Sequence, residues 1–395
     1  MAHQNNDNNT SLTWGGVAAN KGTPDSTTTA HRRALYLKLF SGELFKGFQR
    51  NTIARDLITK RTLKNGKALQ FIFTGRTNSE FHVPGQNILG NTDGAPPVAE
   101  VTIQCDDLLI SSAFVYELDE VLSHYDLRGE ISKKIGYALA ENYDRRIFRA
   151  ITKAARQASP IQKTNFLEPG GTQVRVGTNA AGTDAYDADA LVNAFYDAAA
   201  ALDEKGVSTD GRVGVLNPRQ YYELIQKVGD SGLINRDEQG EARQRGNGIV
   251  EIAGIKIYKS MNIPFFGRFG TKYGGSGATG TGVTDPGNTG SFVSEDMGNQ
   301  AESASGAPDG QRTVNDYGEG NKFDNSCGLI FQKEAVGCVE AIGPQVQVTS
   351  GDVSVIYQGD VILGRLAMGA APLNPAAAVE LIAGIAPNTG VAQAF

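Results

Sequence analysis

Large apolar side chains return every fourth residue from Leu127 to Ile151, through Ile131, Ile135, Leu139, Tyr143 and Ile147. That spacing belongs to a helix and predicts one over 123–157. Four residues overshoot a full turn by about 40°, so the stripe winds round the helix, which must meet different neighbours along its length. Upstream, Ala68–Phe73 reads as a strand, and Val98–Ile103, with Val101 and Ile103 alternating with polar neighbours, reads as its return. The tip between them, Gly75–Pro97, is punctuated by Pro84-Gly85, Gly90, Gly94 and Pro96-Pro97. Compact monomers seldom carry so long a connection, and a lone two-stranded ribbon is marginally stable. The ribbon is therefore expected to lie on another molecule or on another part of its own.

Downstream the pattern alternates. A helix is expected to start in the acidic turn Asp184, Asp187, Asp189, to bury Leu191, Ala194, Phe195, Ala198 and Leu202, and to stop at Gly206. Val213–Leu216 reads as a strand. Asn217-Pro218 caps a helix carrying Tyr221, Tyr222, Ile225 and Val228. Ile249–Ile257, with Gly254 inside, reads as a short strand pair, so 170–266 suggests an α+β or α/β domain. Strands resume at Leu329–Phe331, Val336–Val339, Val346–Val348, Val353–Val355 and Val361–Arg365, and Leu373-Asn374-Pro375 closes the pattern.

Between these patterned stretches the composition shifts twice. Residues 1–30 are rich in Asn, Thr, Ser and Gly and read as a flexible tail. Gly267–Asn325 is Gly-rich and acidic, nearly free of large aliphatics, and reads as a solvent-facing insertion. The segment 31–60 is different again: Ala34–Phe40, Leu44, Phe45 and Phe48 need a partner surface, while Arg32, Arg33, Lys38, Lys46, Arg50 and Arg55 make it basic. It reads as an arm whose cations either face solvent or meet phosphates or an acidic partner.

The whole chain of 395 residues has a formal charge of −6 and 48 glycines. That balance argues against a surface built throughout to grip nucleic acid. The first residues have no basic and apolar signal regions, and no apolar run approaches spanning length, so a soluble chain without membrane partners is expected. Cys105, Cys327 and Cys338 are odd in number and far apart, which suggests buried or half-buried thiols rather than a disulfide framework or a zinc site.

Candidate chemistry is thin. Gly275–Gly280 matches G-x-G-x-x-G but lacks the strand and helix that a phosphate loop needs. Asp187-Ala188-Asp189 begins like a calcium loop, yet Leu191 takes the next ligand position. Asp106-Asp107 and Asp119-Glu120 read as surface pairs. The basic C-terminal half of the long helix, Arg145, Arg146, Arg149, Lys153 and Arg156, suits either the helix dipole or an anionic partner. No catalytic, cofactor or metal residues are singled out, and an enzyme is not expected.

Two stretches carry a resemblance. Ala34–Leu44, Gly66–Phe71, Gly75-Arg76-Thr77 and Pro84–Asn87 form the first, and Asp107-Leu108-Leu109, Tyr116–Glu120 and His124–Arg128 the second. In order and over about Ala34 to Ala140 they resemble the major capsid proteins of T-seven-like short-tailed double-stranded DNA phages. Asn217-Pro218, Gly254, Ala367-Met368-Gly369 and Leu373-Asn374-Pro375 are weaker echoes. The Gly-rich insertion departs from the pattern, and nothing matches a covalent cross-linking site.

The resemblance implies an α+β, Hong Kong 97-type capsid fold. Its parts would be a tail (1–30), an N-terminal arm (31–60), an extended loop (61–110), a peripheral domain (111–169) with a spine helix over 123–157, and an axial domain (170–342) including the insertion 267–325. Residues 343–395 would return to the peripheral domain. It implies a subunit that assembles with itself, as hexamers and pentamers, into an icosahedral head with a suggested triangulation number of seven. Assembly would use a scaffolding protein in the host bacterial cytoplasm, with a portal protein at one vertex and packaged DNA held by non-specific electrostatics. Candidate contacts between subunits are Arg76, Phe81 and Pro84 on the loop, and Leu35, Phe40 and Phe45 on the arm. Candidate inner-surface cations are Arg32, Arg33, Lys38, Arg145, Arg146 and Arg149. A tail, decoration or adhesion component is the alternative, and an oligomeric enzyme with an unrecognised site a further one.

Overall fold

The computed structural model describes residues 53–75, 81–85, 97–106, 108–117, 127–163, 166–178, 183–226, 250–264, 315, 317, 326–348 and 358–383. In chain order they form β1 (Thr59–Thr62), β2 (Ala68–Thr74), β3 (Val98–Gln104), β4 (Leu109–Tyr116), α1 (Leu127–Arg156), β5 (Gln162–Lys163), β6 (Phe166–Leu167), β7 (Thr172–Val176), α2 (Ala188–Glu204), β8 (Arg212–Leu216), α3 (Pro218–Gln226), β9 (Val250–Ile252), β10 (Ile255–Lys259), β11 (Ser326–Gln332), β12 (Val336–Val348), β13 (Gly359–Pro372) and β14 (Ala378–Ala383). The tail, most of the arm, much of the loop tip, the Gly275–Gly280 match and the expected strand at 353–355 lie outside the described residues. None of the described helices is long and apolar enough to cross a membrane.

The chain divides into two compact units. The smaller includes Leu108–Asn142 and Ile342–Ala367; the larger is built from Thr52–Asp107, Tyr143–Ala341 and Met368–Phe395. In the smaller unit β13 pairs antiparallel with β4, from Gly359↔Tyr116 to Leu366↔Leu109. Ile135 and Leu139, one stripe of α1, lie over Gly364 of that pair.

The expected strands at Val336–Val339 and Val346–Val348 are one strand, β12, which continues through Pro344. The proline is tolerated because of its edge. Glu340 accepts the Leu63 N–H through its carbonyl at 2.9 Å, and Pro344, four residues on, turns the same way. The described partner on that edge, β1, pairs with Gly337–Glu340 only, so among the described residues the missing N–H interrupts no ladder.

In the larger unit six strands run in the order β7-β14-β11-β8-β10-β9. β7 is parallel to β14 and β10 to β8; the other neighbours are antiparallel. The register assigns the two faces. Gly214 of β8 lies against the Phe195 ring of α2, and Leu216 and Leu381 crowd Gly328, so these residues share the α2 face. Val213, Val215, Leu329, Phe331 and Glu380 share the opposite face, and there α1 sends Arg156 to Glu380. Covered on both sides, β8 and β14 are buried throughout, which removes the alternation that marks a half-exposed strand.

Local signals hold where the chain alone satisfies them. Leu191, Ala194, Phe195, Ala198 and Leu202 of α2 are all buried. The helix ends at Gly206, whose φ of 70° belongs to the left-handed region open to glycine. Gly206 N–H donates to Asp203 O at 2.9 Å and Val207 N–H to Leu202 O at 3.0 Å, a double closure of the last turn. At the start of α3, Asn217 Oδ1 accepts the Arg219 N–H at 3.1 Å and Gln220 Oε1 accepts the Asn217 N–H at 3.2 Å, a reciprocal cap. β9 and β10 form the expected strand pair.

Three expectations are corrected. The return of residues 343–395 to the peripheral domain does not hold for β14, which lies between β7 and β11 in the six-stranded sheet. The segment 267–325 is not wholly solvent-facing, since Tyr317 is 2% exposed. Asp106 is no surface acid either, being 5% exposed.

Candidate assembly surface and buried charge clusters

From Tyr143 to Thr152 every side chain of α1 is buried, including Asp144, Arg145, Arg146 and Arg149. A buried charge needs partners, and these come from distant parts of the chain. Asp106 Oδ2 lies 3.7 Å from Arg146 Nη1 and accepts the Tyr317 hydroxyl at 2.7 Å. Arg149 Nη1 donates to the Tyr317 carbonyl at 3.3 Å. Burial, and after it the charge of Arg145, lowers the Arg149 pKa to about 10, so it remains a cation at neutral pH. Arg145, Arg146 and Arg149 were expected on an inner surface; they are 9%, 4% and 2% exposed and serve the interior of the larger unit.

A second cluster fixes the chain just after residue 52. Asp144 accepts the backbone N–H groups of Ile53 and Ala54 at 2.8 and 3.2 Å. The Arg55 guanidinium grips both oxygens of Glu340, at 3.2 and 3.0 Å, and Tyr143 donates its hydroxyl to Glu340 at 2.8 Å. Burial would raise the Glu340 pKa, but the Arg55 and Tyr143 hydrogen bonds, with the Arg55 charge, outweigh it and hold the carboxyl below its ordinary value. A carboxylate depressed in the folded state contributes stability above its unfolded pKa and loses it as pH falls through the folded one. The stability gap between wild type and Glu340→Gln should therefore be full at neutral pH and close as the pH drops below the ordinary glutamate value. Urea titrations across the acid range measure it; a gap unchanged down to pH ~3 would show that the charge contributes nothing.

The third cluster is the tightest. Glu380, fully buried in β14, takes two hydrogen bonds from Arg156, both 2.7 Å, one from Gln173 at 2.8 Å, and one from Ser326. The three cysteines are thiols, Cys327 and Cys338 buried and Cys105 half-buried. Burial pushes Cys338 up to about 12, which makes it inert as a nucleophile.

The surface candidates lie on the ribbon. β2 and β3 pair from Ala68↔Gln104 to Thr74↔Val98, and their sides alternate between half-buried and exposed. Leu69, Phe71 and Ile103 pack with Leu63 and Val339, so the ribbon's base lies on its own unit. The other face exposes Ile72, 76% accessible, and Val98. Beyond it Phe81 is 102% exposed, with Val83 and Pro84 also exposed. Side chains of this kind in water oppose the hydrophobic effect unless another molecule covers them. Arg76, Leu35, Phe40, Phe45, Arg32, Arg33 and Lys38 lie outside the described residues.

Residues 71–301, more than half of the chain, match the family described as Gp10A-like major capsid protein. The chain belongs to that family. Against the major capsid protein of Escherichia phage T7 it is 24% identical over 360 residues, covering 88% of this chain and 92% of the relative. The major capsid protein of Enterobacteria phage T3 is 31% identical over 124 residues, 31% of this chain and 35% of the relative. Among solved structures, the capsid of Cyanophage P-SCSP1u superposes with a TM-score of 0.66 at 28% identity, covering 90% of this chain and 95% of that one. The mature capsid of bacteriophage PhiM1, at 14% identity and a TM-score of 0.60 over 89% and 92%, shares the fold.

This major capsid protein family member therefore has the expected α+β, Hong Kong 97-type fold and is a structural subunit of a phage virion shell, not a tail or adhesion component. In the sequence, the capsid subunit's buried acids Glu340 and Glu380 show only as one polar residue inside an apolar run, and Tyr317 as a lone aromatic in a polar, Gly-rich stretch.

Proposed function

We propose that this subunit closes the shell by seating the exposed apolar ribbon tip, Phe81 with Pro84 and Arg76, on a neighbouring copy, and that the arm residues Leu35, Phe40 and Phe45 add a second contact. The fully exposed Phe81 ring supports this reading: no described part of its own chain covers it. Weak contacts of this kind add up when each subunit makes several. The subunits form hexamers and pentamers on a lattice of triangulation number seven, built with a scaffolding protein in the host cytoplasm and with a portal protein at one vertex. The subunit itself carries out no catalysis. Arg32, Arg33 and Lys38 on the arm meet the packaged DNA through non-specific phosphate contacts; Arg145, Arg146 and Arg149, being buried, are left out of that surface.

Phe81→Asp tests the ribbon contact. Truncating an interface anchor costs about 2 kcal/mol or more at each site, so shell yield on co-expression with a scaffolding protein should fall on the order of tenfold or more. The circular dichroism spectrum of the free subunit should not change, because Phe81 packs on nothing in its own described chain. Negative-stain images with wild-type numbers of closed shells would remove Phe81 from the interface.

A further inference from the structure

Asn315 and Tyr317 are the described residues of the Gly-rich segment 267–325; Tyr317 is buried in the larger unit and Asn315, half-buried, is bonded beside it. The Asn315 backbone N–H and Nδ2 both donate to Asp106 Oδ1, at 3.1 and 3.0 Å, and Nδ2 also reaches Gln104 O at 3.0 Å. The Tyr317 hydroxyl donates to Asp106 Oδ2 at 2.7 Å and accepts the Ala370 N–H at 2.9 Å. Its ring lies 5.5 Å from the Arg146 guanidinium carbon, a favourable position for a cation.

The surroundings of Tyr317 are held by bonds that do not involve it. Asp106 N–H donates to Met368 O at 3.0 Å, which fixes the acid beside β13, and Asp106 is paired with Arg146. An acceptor, a donor and a cation thus converge on one phenol. A ring without the hydroxyl would fill the volume but leave two hydrogen bonds unmade.

We infer that Asp106, Arg146 and the Ala370 N–H form a phenol-binding receptor inside the subunit, and that Tyr317 with Asn315 is the latch that occupies it and ties the exit of the Gly-rich segment to the core. The latch acts through the hydroxyl, not through bulk alone. The ligand class is a para-substituted phenol, and a free one of the right size takes the place of the side chain when it is removed.

The test uses the full-length, unassembled chain. Tyr317→Phe should melt about 3–8 °C below wild type, since it keeps the ring and loses both hydroxyl bonds. Tyr317→Gly should melt lower still, and millimolar p-cresol should raise its melting temperature saturably while toluene, equal in shape but without the hydroxyl, should not. p-Cresol should leave the wild type unchanged, because the site is filled. Wild-type melting of Tyr317→Phe would overturn the proposal, as would equal rescue of Tyr317→Gly by toluene or no rescue by p-cresol. If Tyr317→Gly does not fold, Tyr317→Phe decides by itself.

Discussion

Glu380→Gln should destabilise the unassembled subunit by about 3–5 kcal/mol, because it removes one partner of a buried ion pair and leaves the other inside. Arg156, its side chain only 12% exposed, would keep its charge with no anion to meet it. Four donor contacts converge on Glu380, two from Arg156 and one each from Gln173 and Ser326. They join the end of α1 to β14, an interior strand of the six-stranded sheet, so the loss should appear as cooperative unfolding of the larger unit. Urea unfolding followed by circular dichroism measures it. Arg156→Met with Glu380→Leu should recover most of the loss, since a packed apolar pair often replaces a buried salt bridge at little cost. Gln173 and Ser326 would each lose an acceptor, so about 1–3 kcal/mol should persist. A single Gln variant as stable as wild type would mean that the pair contributes geometry and no net energy.

Gly369→Ala is expected to have a comparable effect for a steric reason. An added Cβ would stand 1.9 Å from the Gln104 carbonyl oxygen and 3.1 Å from Cys105 Cα. Both obstacles are backbone and cannot rotate away, so β13 and the end of β3 would have to separate. That movement strains the Asp106 N–H to Met368 O bond beside it and shifts Asp106 away from Tyr317. Overpacking of this severity costs about 3 kcal/mol or more. Hydrogen exchange at the Asp106 amide should accelerate markedly in the variant. An amide as protected as in wild type would show that the strands absorb the methyl without parting.

The two predictions draw on different kinds of information. Gly369 sits in a short sequence echo of the family, Ala367-Met368-Gly369, but nothing along the chain says that Gln104 approaches it. Glu380 follows Val379 and precedes Leu381 and Ile382 in a run whose pattern does not announce a strand. β14 is buried on both faces, and its alanines have neither the alternation nor the β-branched density that marks a strand. The same obstacle hid Tyr317: a single tyrosine in a stretch of Gly, Asn and Asp has no period to belong to.

The arginines of α1 show the reverse error. Their spacing was visible, and a basic helix end has two ready explanations, the dipole and an anionic partner. Neither covers what occurs, because the partners of Arg146, Arg149 and Arg156 are 40 or more positions away in the chain. Arg156 meets Glu380 across 224 positions, and Arg149 meets Tyr317 across 168.

Elements whose energetics are local are legible along the chain. The four-residue period of α1, the reciprocal cap at Asn217, the double closure at Gly206 and the two-residue alternation of the β2 and β3 ribbon each depend on neighbours within a few positions. The sequence also carries the ordered motifs that mark the capsid family. Which charges are buried, and which carboxylate meets each of them, is settled by the folded arrangement. Removing an ion from water is tolerable only where several donors or acceptors converge in space, and convergence of Asp106, Arg146 and Tyr317, or of Glu380 and Arg156, is a property of the folded chain with no trace in the order of its residues.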